Sequence, residues 1–161
     1  MRITQSLTVP FAALALTLAC ASPSHAQATH IVVPANKVQW GPAPPVLPAG
    51  AQLAVLEGNP AEKGPIVMRL KLPGNYNIPP HWHSMAERIT VLSGSFHIGD
   101  GDKLDRQASQ TLEPGGFLSL PAKMHHFAWT SAPTVVQINL EGPFDLVYIN
   151  PADNPQKTST K

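Results

Sequence analysis

Two histidines and a glutamate lie close together at His81, His83 and Glu87, and their types and spacing are those of a metal site. Side chains alternate between the two faces of a β-strand, so His81 and His83 point to the same face. A short turn after His83 can return Glu87 to that face. Two neutral imidazoles and one carboxylate form an incomplete ligand set for a divalent ion of the Fe, Mn, Co, Ni, Cu or Zn group. A further ligand must come from elsewhere, and the pair His125 and His126 offers one.

The N-terminal residues have the pattern of an export signal. Met1-Arg2 supplies a positive charge, residues 7–21 form an uncharged apolar run, and small residues precede Gln27. We therefore predict a signal peptide over residues 1–26, cleaved after Ala26, and a periplasmic or secreted protein. The apolar run is shorter than the about 20 residues of a membrane span, and no later segment approaches that length. A rival interpretation is a lipoprotein acylated at Cys20.

The composition of the mature chain narrows the functional classes. Cleavage after Ala26 leaves about 135 residues, enough for one domain with a hydrophobic core. Cleavage also removes the single cysteine, which excludes disulfides and thiol catalysis. The formal net charge is +1 and only 13% of residues are charged, without a basic run, so nucleic acid is not an expected partner. The 18 prolines disfavour long helices, and short strands between turn residues indicate an all-β sandwich or barrel.

The distribution of prolines, turn residues and strand-like segments divides the mature chain into three parts. These are a Pro-rich arm over residues 27–50, a barrel over residues 51–150 and a flexible tail over residues 151–161. We predict extended coil across the surface for most of the arm, with short edge strands at 31–33 and 38–40. A tight hairpin is predicted at Gly94, and one turn of helix within 103–110. The predicted barrel strands are 51–57, 66–72, 78–81, 87–92, 95–98, 117–120, 127–129, 134–140 and 144–149.

Strand alternation also predicts which side chains face inward. An apolar interior is expected from five residues, Met68, Leu70, Ile89, Val91 and Phe96. Ala128 shares a face with His126 and, being small, leaves room near the predicted ligands. Strand alternation directs the side chain of His97 out of the barrel, so we predict that it is a surface residue. The aromatic residues Trp82, Phe127 and Trp129 are predicted to pack between the sheet and the arm.

One segment resembles the first sequence motif of the cupin superfamily. That motif consists of a glycine, a gap, His-x-His, three or four residues, a glutamate, six residues and a second glycine. Gly74, His81, His83, Glu87 and Gly94 correspond to these positions. One extra residue between Gly74 and His81 makes the first glycine the weakest match.

A second segment resembles the second cupin motif. Gly115, Pro121 and His126 stand at the expected positions. Lys123 replaces the usual glycine, and Thr130 replaces the usual asparagine. Because that glycine normally serves a turn with positive φ, we expect the loop before His126 to take another shape.

The resemblance covers about residues 66–140 and implies an all-β double-stranded β-helix, the cupin jelly-roll barrel, with its site in the mouth. It implies that one divalent transition metal ion (Fe, Mn, Ni, Cu or Zn) is bound by four residues, His81, His83, Glu87 and His126. His125 is the alternative fourth ligand. Adjacent strand residues face opposite sides, so at most one of this pair binds, and the spacing from Pro121 favours His126.

Two functional classes follow. A metal with an open coordination position in an apolar cup suits a secreted oxidoreductase of the dioxygenase type, acting on a small organic molecule. The absence from the sequence of a clear acid or base beyond the ligands favours a non-catalytic periplasmic module that binds a small ligand or metal. No catalytic residue is assigned. A structural dimer module with a vestigial site is a third interpretation, and edge strands in the arm are compatible with a homodimer.

Overall fold

The computed structural model describes residues 30–158, which form two antiparallel sheets. The strands of this part are, in chain order, β1 (Gly41–Pro42), β2 (Gln52–Glu57), β3 (Gly64–Leu72), β4 (Asn77–Trp82), β5 (Glu87–Ser93), β6 (Phe96–Asp100), β7 (Gln110–Leu112), β8 (Phe117–Leu120), β9 (His126–Thr130), β10 (Thr134–Gly142) and β11 (Val147–Tyr148). The helical segments among residues 30–158 are two 3-10 turns, Ala35–Lys37 and Pro151–Asp153, and one α-helical turn, α1 (Pro155–Thr158). No helix in this range is long and apolar enough to cross a membrane. The predicted signal peptide, with Cys20 and Ala26, lies outside the described residues.

The chain alternates between the two sheets, which is how the jelly roll closes. One sheet has the strand order β1-β2-β3-β10-β5-β8, and the other has the order β11-β4-β9-β6-β7. From β3 onward the chain changes sheet at almost every connection, so strands that are distant in sequence become neighbours. The all-β double-stranded β-helix predicted from the sequence is confirmed.

The core lies between the sheets and follows from period-two alternation. On β3, Ile66, Met68, Leu70 and Leu72 are buried, whereas the residues between them are partly exposed. β10 pairs with β3 in antiparallel register and buries every second residue in the same way. Apolar residues therefore meet at each level of the barrel, and their burial is the main favourable contribution to folding.

The turn at Gly94 does not form the predicted hairpin. β5 pairs with β10 and β8, while β6 pairs with β9 and β7, so the turn carries the chain from one sheet to the other. Gly94 has φ +78°, and a Cβ there would lie 2.4 Å from the carbonyl oxygen of Pro133. Glycine is required because the turn packs directly against the chain entering β10.

Three other local predictions are wrong. No strand occurs at 31–33 or 38–40; the 3-10 turn Ala35–Lys37 lies between these ranges, and the short β1 follows them. No helix forms within 103–110. The predicted strand 144–149 shortens to β11, because residues 143–146 form a loop beside the candidate metal site.

The arm is more than a surface coil. Leu47 is buried and lines the central cavity together with Pro44. The carbonyls on either side of Leu47 accept hydrogen bonds from two tyrosine hydroxyls: Tyr148 donates to Val46 over 2.8 Å, and Tyr76 donates to Pro48. Burial raises the pKa of Tyr148 to about 12, so its hydroxyl keeps the proton it donates. The arm therefore closes one side of the barrel.

Candidate metal centre

Three histidines converge in the mouth of the barrel. β4 and β9 are adjacent, and their register places His81 directly opposite His126. His83 follows immediately after the end of β4. The ring centroids of His81 and His126 are 4.2 Å apart, and one ring nitrogen from each of the three residues lies within 4.8 Å of the others. All three side chains are buried.

A β-bulge aims His81 into the cavity. Residues 78 and 81 are three positions apart and would face opposite sides of a regular strand. The pairing of β4 with β9 shifts register between them, and both Ile78 and His81 then line the cavity. Pro79 and Pro80 occupy the bulge, where the missing N–H groups of proline cost no ladder hydrogen bonds.

Glu87 reaches the histidines from the opposite sheet. It is the first residue of β5, and its side chain is 6% exposed. One carboxylate oxygen, Oε2, lies 3.7 Å from Nε2 of His83. The site therefore joins the two sheets, with imidazoles from one and a carboxylate from the other.

Backbone carbonyls orient all three imidazoles in the same sense. Nδ1 of His81 donates to the carbonyl of Pro79 over 2.7 Å, and Nδ1 of His126 donates to that of Met124 over 2.9 Å. Nδ1 of His83 donates to the carbonyl of Asp145. The proton of each neutral ring is thus assigned to Nδ1, and Nε2 keeps the lone pair that a metal requires.

Burial favours the uncharged form of each group in the site. Desolvation lowers the pKa of His81 well below its usual range, and the neighbouring His126 and His83 lower it further. Desolvation also lowers the pKa values of His83 and His126. The pKa of Glu87 is raised to about 7 by burial, against an opposing effect of His126. The imidazoles are therefore neutral near pH 7, the form in which they bind metals.

The donor set fits a divalent transition metal. Imidazole nitrogens and a carboxylate suit Fe, Mn, Co, Ni, Cu and Zn. Metal–nitrogen bonds are about 2.1 Å, so two donors on one ion are at most about 4.2 Å apart. The histidine nitrogens lie within 4.8 Å, and a shift of under about 1 Å brings them onto one ion. Their binding of metal, with Glu87 as the fourth ligand, stays a prediction.

The four polar groups open onto an apolar cavity of about 50 Å³. This volume corresponds to roughly three or four water molecules, so it suits a small occupant. Of the residues predicted to line the interior, Met68, Leu70, Ile89 and Phe96 do so, as does Ala128. Val91 is buried in the core beside the cavity and does not line it.

His97 and His125 lie away from the centre. His125 points outward and pairs with Asp102 over 2.6 Å, in an exposed contact. His97 also faces out of the barrel, but the expectation of a surface residue is wrong because the residue is only 9% exposed. The ring stacks on Trp129 at 3.7 Å between centroids, with 7° between the planes.

The aromatic residues that were predicted to pack between the sheet and the arm contact other parts of the barrel. Arg106 covers the Trp129 ring at 4.6 Å, so this ring packs beneath the loop that joins β6 to β7. Phe127 is fully buried over Gly99. Trp82 is half-buried and lies opposite Val147 in the register of β4 and β11.

The second motif keeps its turn despite the loss of glycine. Lys123 has φ +63°, so the expectation of another loop shape is wrong. Its N–H donates to the carbonyl of His83 over 2.7 Å, which ties the two motifs together. Thr130, in place of the usual asparagine, is fully buried, and its hydroxyl donates to the carbonyl of Pro73 over 2.6 Å. This bond holds the turn that leads into β4.

Sequence reasoning missed the residues that complete the cavity from outside the strands. They come from the arm and from two loops: Pro44, Leu47, Pro60, Phe144 and Leu146. The alternation of side chains applies only within strands, so it could not predict which loop residues line the cavity. The apolar character of Phe144 and Leu146 beside Gly142-Pro143 was the only available signal.

The comparisons with known proteins agree with this architecture. A family model described as "Domain of unknown function (DUF4437)" matches residues 21–147. The chain belongs to this family. Its domain is cupin-like, which confirms the resemblance seen in the two motifs. No curated protein matches the chain.

Several solved structures share the fold. A candidate acetylacetone dioxygenase from Methylibium petroleiphilum PM1 is 16% identical, with a TM-score of 0.61 over 81% of this chain and 88% of that one. The polyketide cyclase RemF from Streptomyces resistomycificus is 17% identical, with a TM-score of 0.60 over 83% and 94% of the two chains. An RmlC-like cupin from Shewanella frigidimarina NCIMB 400 is 13% identical, with a TM-score of 0.54 over 71% and 91%. At these identities the likeness shows the cupin fold alone.

Proposed function

We propose that this cupin is a metal-dependent oxidoreductase of the dioxygenase type that acts on a small organic molecule. One divalent transition metal ion would be held by four residues, His81, His83, Glu87 and His126. The observation that carries the proposal is the common orientation of the three imidazoles: each donates through Nδ1 to a backbone carbonyl, and one ring nitrogen of each lies within 4.8 Å of the others. Such fixed rings are typical of metal-binding histidines.

The chain's own residues would bind the substrate, orient it and exclude water. A bound metal would supply Lewis-acid and redox chemistry at the polar end of the cavity. Apolar side chains from the arm and the strands surround the remaining space and leave little room for bulk water. In the metal-free site burial raises the pKa of Glu87 to about 7, so its carboxyl group can hold a proton near neutral pH, and binding of a metal ion would release that proton.

Acetylacetone is the first substrate to test, because the structural neighbour from Methylibium petroleiphilum is a candidate acetylacetone dioxygenase. The purified protein should contain near-stoichiometric Fe, Mn, Ni or Cu and consume dioxygen with a small ketone of this kind, because zinc is redox-inert and could not support this reaction. Chelation should stop the uptake, and His126→Ala should lack it while His125→Ala retains it. Bound metal without dioxygen uptake on any of a panel of small oxygenated compounds would contradict the enzymatic proposal.

A non-catalytic metal- or ligand-binding cupin is the alternative. It is favoured by one observation: among the described residues lining the cavity, the four candidate ligands are the only titratable groups. An enzyme of this kind would have to move protons through its ligands. Tight metal binding together with saturable binding of a small molecule that is recovered unchanged would support this alternative.

Export and dimer formation are proposals that rest on the sequence. Residues 1–26 carry the signal pattern, and we expect a mature periplasmic or secreted protein that begins at Gln27. N-terminal sequencing of the protein from a periplasmic extract checks the cleavage site, and a lipid-modified N-terminus at Cys20 would contradict it.

A homodimer is tested by light scattering of the mature chain.

A further inference from the structure

We propose that Asp145 is a positioning residue that orients His83 for metal binding. The proposal rests on the proposed metal site and concerns the loop 143–146, which joins β10 to β11. It adds to the candidate ligands a residue that would not touch the metal itself.

Three hydrogen bonds connect Asp145 to the segment that carries His83. The carboxylate accepts from the backbone N–H of Ser84 over 2.8 Å, through Oδ1, and from the hydroxyl of Ser84 over 2.5 Å, through Oδ2. The backbone carbonyl of Asp145 accepts from Nδ1 of His83. The two carboxylate contacts fix residue 145 relative to Ser84, and its carbonyl is thereby placed where the ring of the preceding residue can donate to it.

His83 needs this support more than the other two histidines do. The carbonyls that orient His81 and His126 belong to residues two positions earlier in the chain, Pro79 and Met124. They come from the same local segment and are set by local backbone geometry. His83 stands beyond the end of β4, and the carbonyl that orients it is 62 residues away. The orientation of this ring therefore depends on a tertiary contact.

The loop is held on its other side as well. The N–H of Phe144 donates to the carbonyl of Pro60 over 2.8 Å. Its ring lies beside the imidazole of His83, with 5.6 Å between centroids, and lines the cavity. Asp145 thus links the loop to Ser84 while Phe144 packs against the same imidazole. Both contacts restrict the ring of His83.

The test uses cobalt(II) as the probe and compares variants of matched chemistry. Asp145→Ala removes both contacts with Ser84, while Asp145→Asn retains an acceptor for the Ser84 N–H. Asp105→Ala is the control, because the Asp105 carboxylate likewise accepts from backbone N–H groups, those of Gln107 and Ala108. The readouts are the cobalt dissociation constant, the visible absorption of bound cobalt and the melting temperature of the metal-free protein.

We expect Asp145→Ala to weaken cobalt binding about tenfold, as is typical of losing a partner of a metal-binding histidine, and to change the cobalt spectrum. Asp145→Asn should recover part of the affinity, and Asp105→Ala should match the wild type in both. If Asp145→Ala does not fold, Ser84→Ala tests the proposal in its place. We expect this variant to show a smaller loss of cobalt affinity and a change in the cobalt spectrum.

Three results would overturn the proposal. Asp145→Ala, or Ser84→Ala in its place, could match the wild type in affinity and spectrum while His83→Ala loses cobalt; the proposed metal site would then stand without a role for Asp145. Asp105→Ala could lose as much affinity as Asp145→Ala, which would indicate a general effect of stability. A wild-type protein that binds no cobalt would refute the proposed metal site itself.

Discussion

The histidines inside the barrel and those outside it differ in what their ring nitrogens contact. His81, His83 and His126 each donate through Nδ1 to a backbone carbonyl, and one ring nitrogen of each lies within 4.8 Å of the others. His97, outside, places Nδ1 against the hydroxyl of Thr111 and Nε2 against that of Ser131. Its two nitrogens are both occupied by side chains, and none is left for a metal.

Proximity in sequence does not separate the two groups. His125 and His126 are neighbours, yet one pairs with Asp102 in solvent and the other lies in the cavity. The side to which a strand directs each residue separates them, and the carbonyl contact then sets which nitrogen is available. A metal-site histidine is thus better recognised by its orientation and its partner than by the density of histidines around it.

The largest expected effect on metal affinity is the difference between substitutions at the adjacent residues His125 and His126. His126→Ala should weaken cobalt or nickel binding by more than the about 10- to 100-fold typical of losing an outer partner, because a ligand itself is removed. His125→Ala should leave the affinity unchanged. Titration of the metal-free proteins measures both, and equal losses in the two variants would mean that the inside–outside distinction does not hold.

A smaller effect is expected for the carboxylate from the opposite sheet. Glu87→Gln keeps the size of the side chain but removes the charge that would complete the ligand set, so metal affinity should fall about tenfold or more. Calorimetric titration gives the dissociation constant. An unchanged dissociation constant would mean that only the three histidines bind the metal.

His97→Ala should affect folding and not metal binding. The substitution removes two hydrogen bonds and the stack on Trp129, so the free energy of unfolding should fall by about 2 kcal/mol. Urea denaturation of the metal-free protein measures the loss. A metal affinity that fell along with stability would contradict a purely structural role for His97.

The smallest expected effect concerns Lys123, whose backbone has φ +63°. Lysine is disfavoured in this conformation and glycine is not, so Lys123→Gly should stabilise the protein by about 0.5–1 kcal/mol. Metal affinity should stay constant, because the N–H that donates to His83 is retained. Thermal unfolding checks the gain. Destabilisation would show that the lysine side chain contributes contacts that outweigh its backbone strain.

Much of the barrel could be predicted because burial imposes a period of two on its strands. The alternation in β3 and β5 identified the buried faces, and the His-x-His spacing correctly placed His81 and His83 on one face. The position of Glu87 at the start of β5 also followed from this parity. These inferences succeed because side-chain direction in a strand is a local property.

The failures lie where the structure depends on contacts between distant segments. The Gly94 turn has the sequence of a hairpin, but the choice between pairing β6 with β5 or with β9 depends on the whole barrel. Residues 144–149 have the apolar character of a strand, yet most of them form the loop that contacts His83 and lines the cavity. Local propensity describes such segments poorly because their conformation is set by their neighbours.

The sequence by itself determined the all-β class and the buried faces of the regular strands, because residue type and strand parity are local. Through the resemblance to the cupin motifs it also indicated the jelly-roll fold and the candidate ligands. Only the tertiary structure decided how the ligands are oriented and what encloses them. The carbonyl of Asp145 reaches His83 across 62 positions, and Leu47 reaches the cavity from the arm. Contacts of this kind form only when the two sheets have closed, so no spacing along the chain records them.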